Sequence, residues 1–232
     1  MPIPSSEGAI FPPNTLSPEL ARRDPAAFKK ILVEKVRGNP RIAPIFSGLE
    51  SVHLVSPDSI VLRESWISET TGNNSTIQLG FHEIPRDIQE AIFYTASSMC
   101  PRGYEQQLIY RFTHEVIHKY LDFLVFQAKH PNATELLRLA SEVRADGNVG
   151  FTAFGNIDNI GKPIKQASED VTELLNMYVW NLKYFRDYLD FLANPHTEQL
   201  RQRYAIVGLE ADSKVHMFQL VESTITSPQS SA

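Results

Sequence analysis

Apolar residues return every three or four positions over two long stretches of the chain, Tyr104 to about Lys129 and Ser168 to about Leu192. That spacing follows the α-helical turn and predicts two long amphipathic helices. Shorter β-branched runs, SVHLV (51–55), SIVLRESWI (59–67) and STIQLGF (75–81), are divided by Pro57-Asp58 and by Gly72-Asn73-Asn74. They predict a small meander of three strands, the last two antiparallel because their connection is short. A first helix is expected from Ser17 to about Val36. Ser17 suits the N-cap, Pro18 the first helical position and Glu19 the positive end of the dipole, and Gly38-Asn39-Pro40 stops the helix. Further helices are expected over Pro85–Ser98, Asn132–Arg144 and Thr197–Tyr204, with Ser168 as N-cap of the second long helix and a glycine-rich loop over Gly147–Gly161. Helix, small sheet, then helices is an α+β order around one core. Residues 1–16 and 226–232 read as flexible tails around one domain of 17–225.

Composition narrows the chemistry. The 27 acidic and 22 basic residues give a net charge of −5, which argues against a dedicated nucleic-acid binder. No apolar run is long enough to span a bilayer. The N-terminus MPIPSSEGAIFPPNTLSPEL lacks a basic segment followed by an apolar one, so the cytoplasm is the default compartment, with non-classical secretion open. The single cysteine, Cys100, excludes an internal disulfide and any zinc site built on two or more thiolates. Beside Pro101 it reads as a small buried apolar residue. A transition metal would therefore have to use some of the seven histidines with carboxylates. The aromatic residues Tyr178, Trp180, Tyr184, Phe185, Tyr188 and Phe191 read as helix packing. Arg22-Arg23 and Lys29-Lys30 read as a solvated helix face.

Inside the first long helix stands His114-Glu115-Val116-Ile117-His118, an H-E-x-x-H motif. Residues four apart lie about 40° from each other around a helix, so both imidazoles project from one face and can clamp one metal ion. Glu115 is offset by about 100°, where its carboxylate reaches a metal-activated water without occupying the metal, as a general base does. Leu108, Ile109, Phe112, Val116 and Tyr120 fall on the other side and supply a core face. A catalytic zinc needs a third protein ligand. His53, His82, His130, His196 and His216 are the remaining histidines, and the metzincin extension is absent, because positions 121 and 124 are Leu. A carboxylate on the second long helix fits better. Glu169, Glu173, Asn176 and Trp180 share one stripe there, while Val171, Leu174, Leu175 and Tyr178 face the core. Glu169, Asp170 and Glu173 are all available as the ligand.

H-E-x-x-H followed some 50 residues later by a helix carrying E-x-x-x-E resembles the gluzincin branch of zinc peptidases. Within that branch the chain is most similar to the lethal-factor-type toxin protease domain and its small bacterial relatives, over about residues 50–192. The resemblance implies a zincin-like α+β fold and a zinc-dependent metalloendopeptidase acting on a peptide or protein. It implies that His114, His118 and Glu169 bind Zn²⁺, that Glu115 is the general base, and that Glu173 is a supporting carboxylate. It also implies that an extended substrate pairs with an edge strand, for which Ser75–Phe81 is the candidate. Relatives often carry a tyrosine that stabilises the oxyanion, and here Phe154 stands in its place. Losing one such donor typically costs about 10²–10³ in kcat. Tyr178, Tyr110 or a histidine could substitute, leaving the oxyanion stabiliser unknown. The alternative is a catalytically weak or inactive zincin-fold module that binds a protein partner.

Overall fold

The computed structural model describes residues 15–51, 55–70, 76–85, 103–145, 163–180, 182–193 and 211–226. Helices dominate, with one three-stranded sheet. The expected first helix is two: α1 (Pro18–Arg23) and α2 (Pro25–Arg37). Ser17 Oγ accepts from Leu20 N at 3.1 Å and caps α1, and Asp24 Oδ1 accepts from Ala27 N at 3.0 Å and caps α2. The break falls at Pro25, which has no N–H to give and whose ring crowds the carbonyl of the preceding turn. Helix α3 (Ala43–Ser51) follows where no helix was expected. Pro44 is compatible with it because it sits in the first turn. The predicted strand SVHLV is not formed at its described ends: Ser51 is helical and Val55 belongs to no element.

Strands β1 (Ile60–Arg63), β2 (Glu69–Thr70) and β3 (Ile77–Gly80) form the sheet in the order β1-β3-β2. β1 runs parallel to β3, with Ile60 opposite Ile77 and Arg63 opposite Gly80. β2 is antiparallel to β3, with Thr70 opposite Ile77. The sheet is therefore not the mostly antiparallel meander expected. The run 59–67 bends after Arg63, so only the short β2 returns along β3. The candidate edge strand Ser75–Phe81 is corrected as well, since β3 lies in the middle of the sheet. At Gly80 a Cβ would come within 2.7 Å of the Trp66 carbonyl carbon and 2.8 Å of Ile67 N, so only glycine lets the bend cross there.

The remaining elements are α4 (Tyr104–Asp122), extended by a π-helical turn over Phe123–Gln127, then α5 (Pro131–Ala145), α6 (Pro163–Trp180), α7 (Leu182–Ala193) and α8 (Ala211–Thr226). Ser168 is not an N-cap, because α6 starts at Pro163, a residue preorganised for a first helical turn. Helix α8 was not anticipated. The expected helices beyond Pro85 and over Thr197–Tyr204, and the loop Gly147–Gly161 with Phe154, lie outside the described residues, as does Cys100.

Helix α4 runs through the centre, packed by α2, α3, α6, β2 and β3. Leu108, Phe112, Val116, Ile117, Tyr120 and Leu121 are buried on it, and Val171, Leu174 and Leu175 are buried on α6. Each such side chain contributes about 1.5–3 kcal/mol of burial. Tyr178 and Phe185 pack edge-on with centroids 5.6 Å apart, and both meet Phe218 of α8, so these two aromatics are packing residues. The buried polar residues are the more informative group. Gln107, Thr113, Glu115 and Lys119 lie on α4, and Asp170, Thr172, Glu173 and Asn176 on α6; only Thr224 lies elsewhere among the described residues.

Candidate metal centre

His114 and His118 of α4 face the buried polar stripe of α6. His114 and His118 sit one turn apart on α4, with ring centroids 4.7 Å apart and edge-on. Their Nε2 atoms lie 3.1 Å from one another. Glu169 Oε2, from α6, lies 3.2 Å from His114 Nε2 and 3.1 Å from His118 Nε2. The three atoms form a nearly equilateral triangle. Tetrahedral coordination with arms of about 2.0–2.1 Å has edges of roughly 3.3–3.4 Å. Two imidazole nitrogens and a carboxylate oxygen at this spacing fit a metal ion, and among the described residues this is the group able to hold one. Asp170, buried beside Glu169, is outside the triangle. Glu169 is well past the first turn of α6, so a helix-dipole role does not account for it.

The outer nitrogens of both rings are also held. His114 Nδ1 lies 3.2 Å from Glu173 Oε2, and His118 Nδ1 lies 3.1 Å from Thr172 Oγ1. Glu173 in turn accepts a hydrogen bond from the Tyr110 hydroxyl through Oε1. One helix face thus delivers the carboxylate and an outer partner for each ring, and such partners fix a ligand's tautomer and orientation. Burial opposes charge on His114, but Glu169 and Glu173 outweigh it and hold the imidazole well above its usual value. Burial likewise opposes the Glu169 carboxylate, while hydrogen bonds from His114 and His118 hold it well below the usual carboxylate range. Both shifts express the attraction between the imidazoles and the carboxylates across this group. Further along the stripe, Asn176 Nδ2 donates to Tyr110 O at 3.4 Å, while Asn176 Oδ1 and Trp180 Nε1 find no partner among the described residues.

Glu115 is buried at 6% exposure, and its Oε2 accepts from Thr70 Oγ1 of β2 at 2.9 Å. The strand that holds Glu115 is therefore β2. Arg111, one turn before Glu115, donates to His82 O at 2.8 Å and to Trp66 O, tying α4 to the chain on both sides of β2. Its guanidinium is pushed down to about 10 by burial.

Both phenols considered for an oxyanion role are committed elsewhere, Tyr110 to Glu173 and Tyr178 to Glu222 at 3.1 Å. Among the other histidines, His82 bonds Glu64 at 2.5 Å, and His53 and His196 lie outside the described residues. Sequence reasoning gave Thr172, Thr70 and Arg111 no role. Thr172 was within reach, since it follows Glu169 by one turn on the same stripe. Thr70 and Arg111 carried no signal, because their partners are distant in sequence. Comparison of the chain with protein-family models, with curated proteins and with solved structures finds no match.

Proposed function

We propose that this chain is a zinc-dependent metallopeptidase of the gluzincin type. The carrying observation is the triangle of His114 Nε2, His118 Nε2 and Glu169 Oε2 with a buried carboxylate, Glu115, on the next helical position. His114, His118 and Glu169 would hold Zn²⁺, whose preference for nitrogen and oxygen donors in tetrahedral array suits this set. A bound zinc supplies Lewis acidity, polarising the scissile carbonyl and acidifying a water. Glu115 accepts a proton from the attacking water and later passes it to the leaving amine nitrogen, so one carboxylate serves as base and then acid. Glu173 and Thr172 keep both rings turned toward Glu169. β2 is an outer strand of the sheet among the described residues, and its main-chain groups would pair with an extended peptide.

A second reading is a zincin-fold module that binds a protein without cleaving it. It is favoured by the engagement of Tyr110 and Tyr178 away from any oxyanion. Metal analysis of the purified protein and a quenched-peptide library separate the readings. The enzyme reading expects one zinc per chain and cleavage abolished by Glu115→Ala with zinc retained. Stoichiometric zinc without cleavage supports the binding module, and protein that takes up no zinc refutes both.

A further inference from the structure

We infer that Thr70 is the positioning residue of the general base, and that it ties the orientation of Glu115 to the sheet edge. This rests on the peptidase reading above. Glu115 leaves α4 toward β2 rather than toward α6. Thr70 Oγ1 donates to its Oε2 at 2.9 Å and lies 3.3 Å from its backbone carbonyl. Of the carboxylate's two oxygens, one is therefore fixed, and Oε1 has no partner among the described residues. A glutamate held only by its helix would keep three free torsions. With Oε2 anchored, those torsions are restricted and Oε1 is the oxygen left for the proton.

The anchor is itself anchored. Thr70 pairs with Ile77 of β3 through the sheet ladder, and its side chain reaches the helix. Arg111 grips Trp66 O and His82 O, bracketing β2 from the same helix. Gly80 admits the bend that leads into β2. The hydroxyl thus reports the position of the strand directly to the base. A peptide that pairs with β2 would press on the same strand that orients Glu115, so engagement of the edge and alignment of the base are one event. Misplacement of a reacting group by about 1 Å can cost about 10²-fold.

The test compares Thr70→Val, which keeps the branched shape and loses the donor, with Thr70→Ser, which keeps the donor. Cleavage of a library-derived peptide by the zinc-loaded full chain is expected to fall about 10–100-fold in kcat for Thr70→Val, with KM within about threefold. Thr70→Ser is expected to recover most of the loss, and zinc affinity is expected to stay within about threefold in both, since Thr70 touches no ligand. A kcat for Thr70→Val within about twofold of wild type overturns the inference. So does a fall in zinc affinity that matches the fall in rate, which would mark Thr70 as part of the fold alone. If the wild type cleaves nothing, the peptidase reading fails separately, and the Co²⁺-loaded protein still decides whether Thr70 orients Glu115. A Thr70→Val shift in the visible cobalt bands that disappears in a Glu115→Ala background supports positioning. Coincident wild-type and Thr70→Val spectra overturn it.

Discussion

Thr172→Val removes one hydroxyl and leaves the size of the side chain almost unchanged. That oxygen lies 3.1 Å from His118 Nδ1, on a ring whose side chain is 16% exposed. When Nε2 is the ligand atom the ring proton must sit on Nδ1, and Thr172 Oγ1 is then its acceptor. Deleting the acceptor removes a neutral hydrogen bond worth about 0.5–1.5 kcal/mol and strands a largely buried N–H, a cost of about 1–3 kcal/mol. The two overlap, so about 1–3 kcal/mol is lost from the ligand-competent ring, or roughly 5–150-fold in metal affinity. Glu173→Gln acts on His114 Nδ1 at 3.2 Å but replaces a charged acceptor, whose hydrogen bonds are worth about 1.5–3 kcal/mol. The expected order of zinc affinity is wild type, then Thr172→Val, then Glu173→Gln, with Glu169→Ala too weak to measure. Competition against a chromophoric chelator at one fixed pH gives each affinity, and thermal melts of the metal-free proteins check that all four are folded. If Thr172→Val binds zinc within about twofold of wild type while Glu169→Ala loses it, the hydroxyl does not orient His118 and the reasoning fails.

Other perturbations test the frame. Phe112 is fully buried on α4 with its ring centroid 6.2 Å from that of Phe46, so Phe112→Ala should cost about 3–5 kcal/mol in urea unfolding; a loss under about 1 kcal/mol would mean the central helix is placed wrongly. Gly80→Ala puts a Cβ 2.7 Å from the Trp66 carbonyl carbon and should cost about 1–3 kcal/mol as the bend before β2 is forced outward; an unchanged melting temperature would count against the sheet register. Lys119 is buried on α4, and desolvation lowers it to about 8 from 10.5. The unfolded chain then binds more protons between those values, so stability should rise from pH 8 to pH 10 by about 2 kcal/mol relative to Lys119→Met. Parallel unfolding curves for the two proteins across that range would refute the shift.

The first long helix was legible because burial imposes a period on the sequence, and α4 obeys it; the second, expected from Ser168 to about Leu192, is divided between α6 and α7. His114 and His118 were legible because a metal clamp on a helix needs one turn between its arms. The errors share a cause: local cues were outweighed by long-range contacts. β1 pairs in parallel with β3 because the chain bends over Gly80, an approach that strand propensity does not encode. Ser168 resembles an N-cap, yet the buried polar stripe of α6 carries the helix through it. Ala43–Ser51 holds Pro44 and Gly48, which argue locally against helix, but Ile45, Phe46 and Leu49 gain a core by adopting it. Thr70 could not be assigned at all, since its partner lies 45 residues away.

Because Glu169, Thr172 and Glu173 are spaced as one turn of a single helix, the centre depends on a phase rather than on three separate positions. One residue inserted between Glu169 and Thr172 would rotate the two supports about 100° relative to Glu169, removing both ring partners in one step. The same insertion ahead of Pro163 leaves the phase untouched. Gain or loss of this centre in descendants of the chain is therefore expected to be abrupt, set by the reading of a short helical segment and not by gradual exchange of side chains.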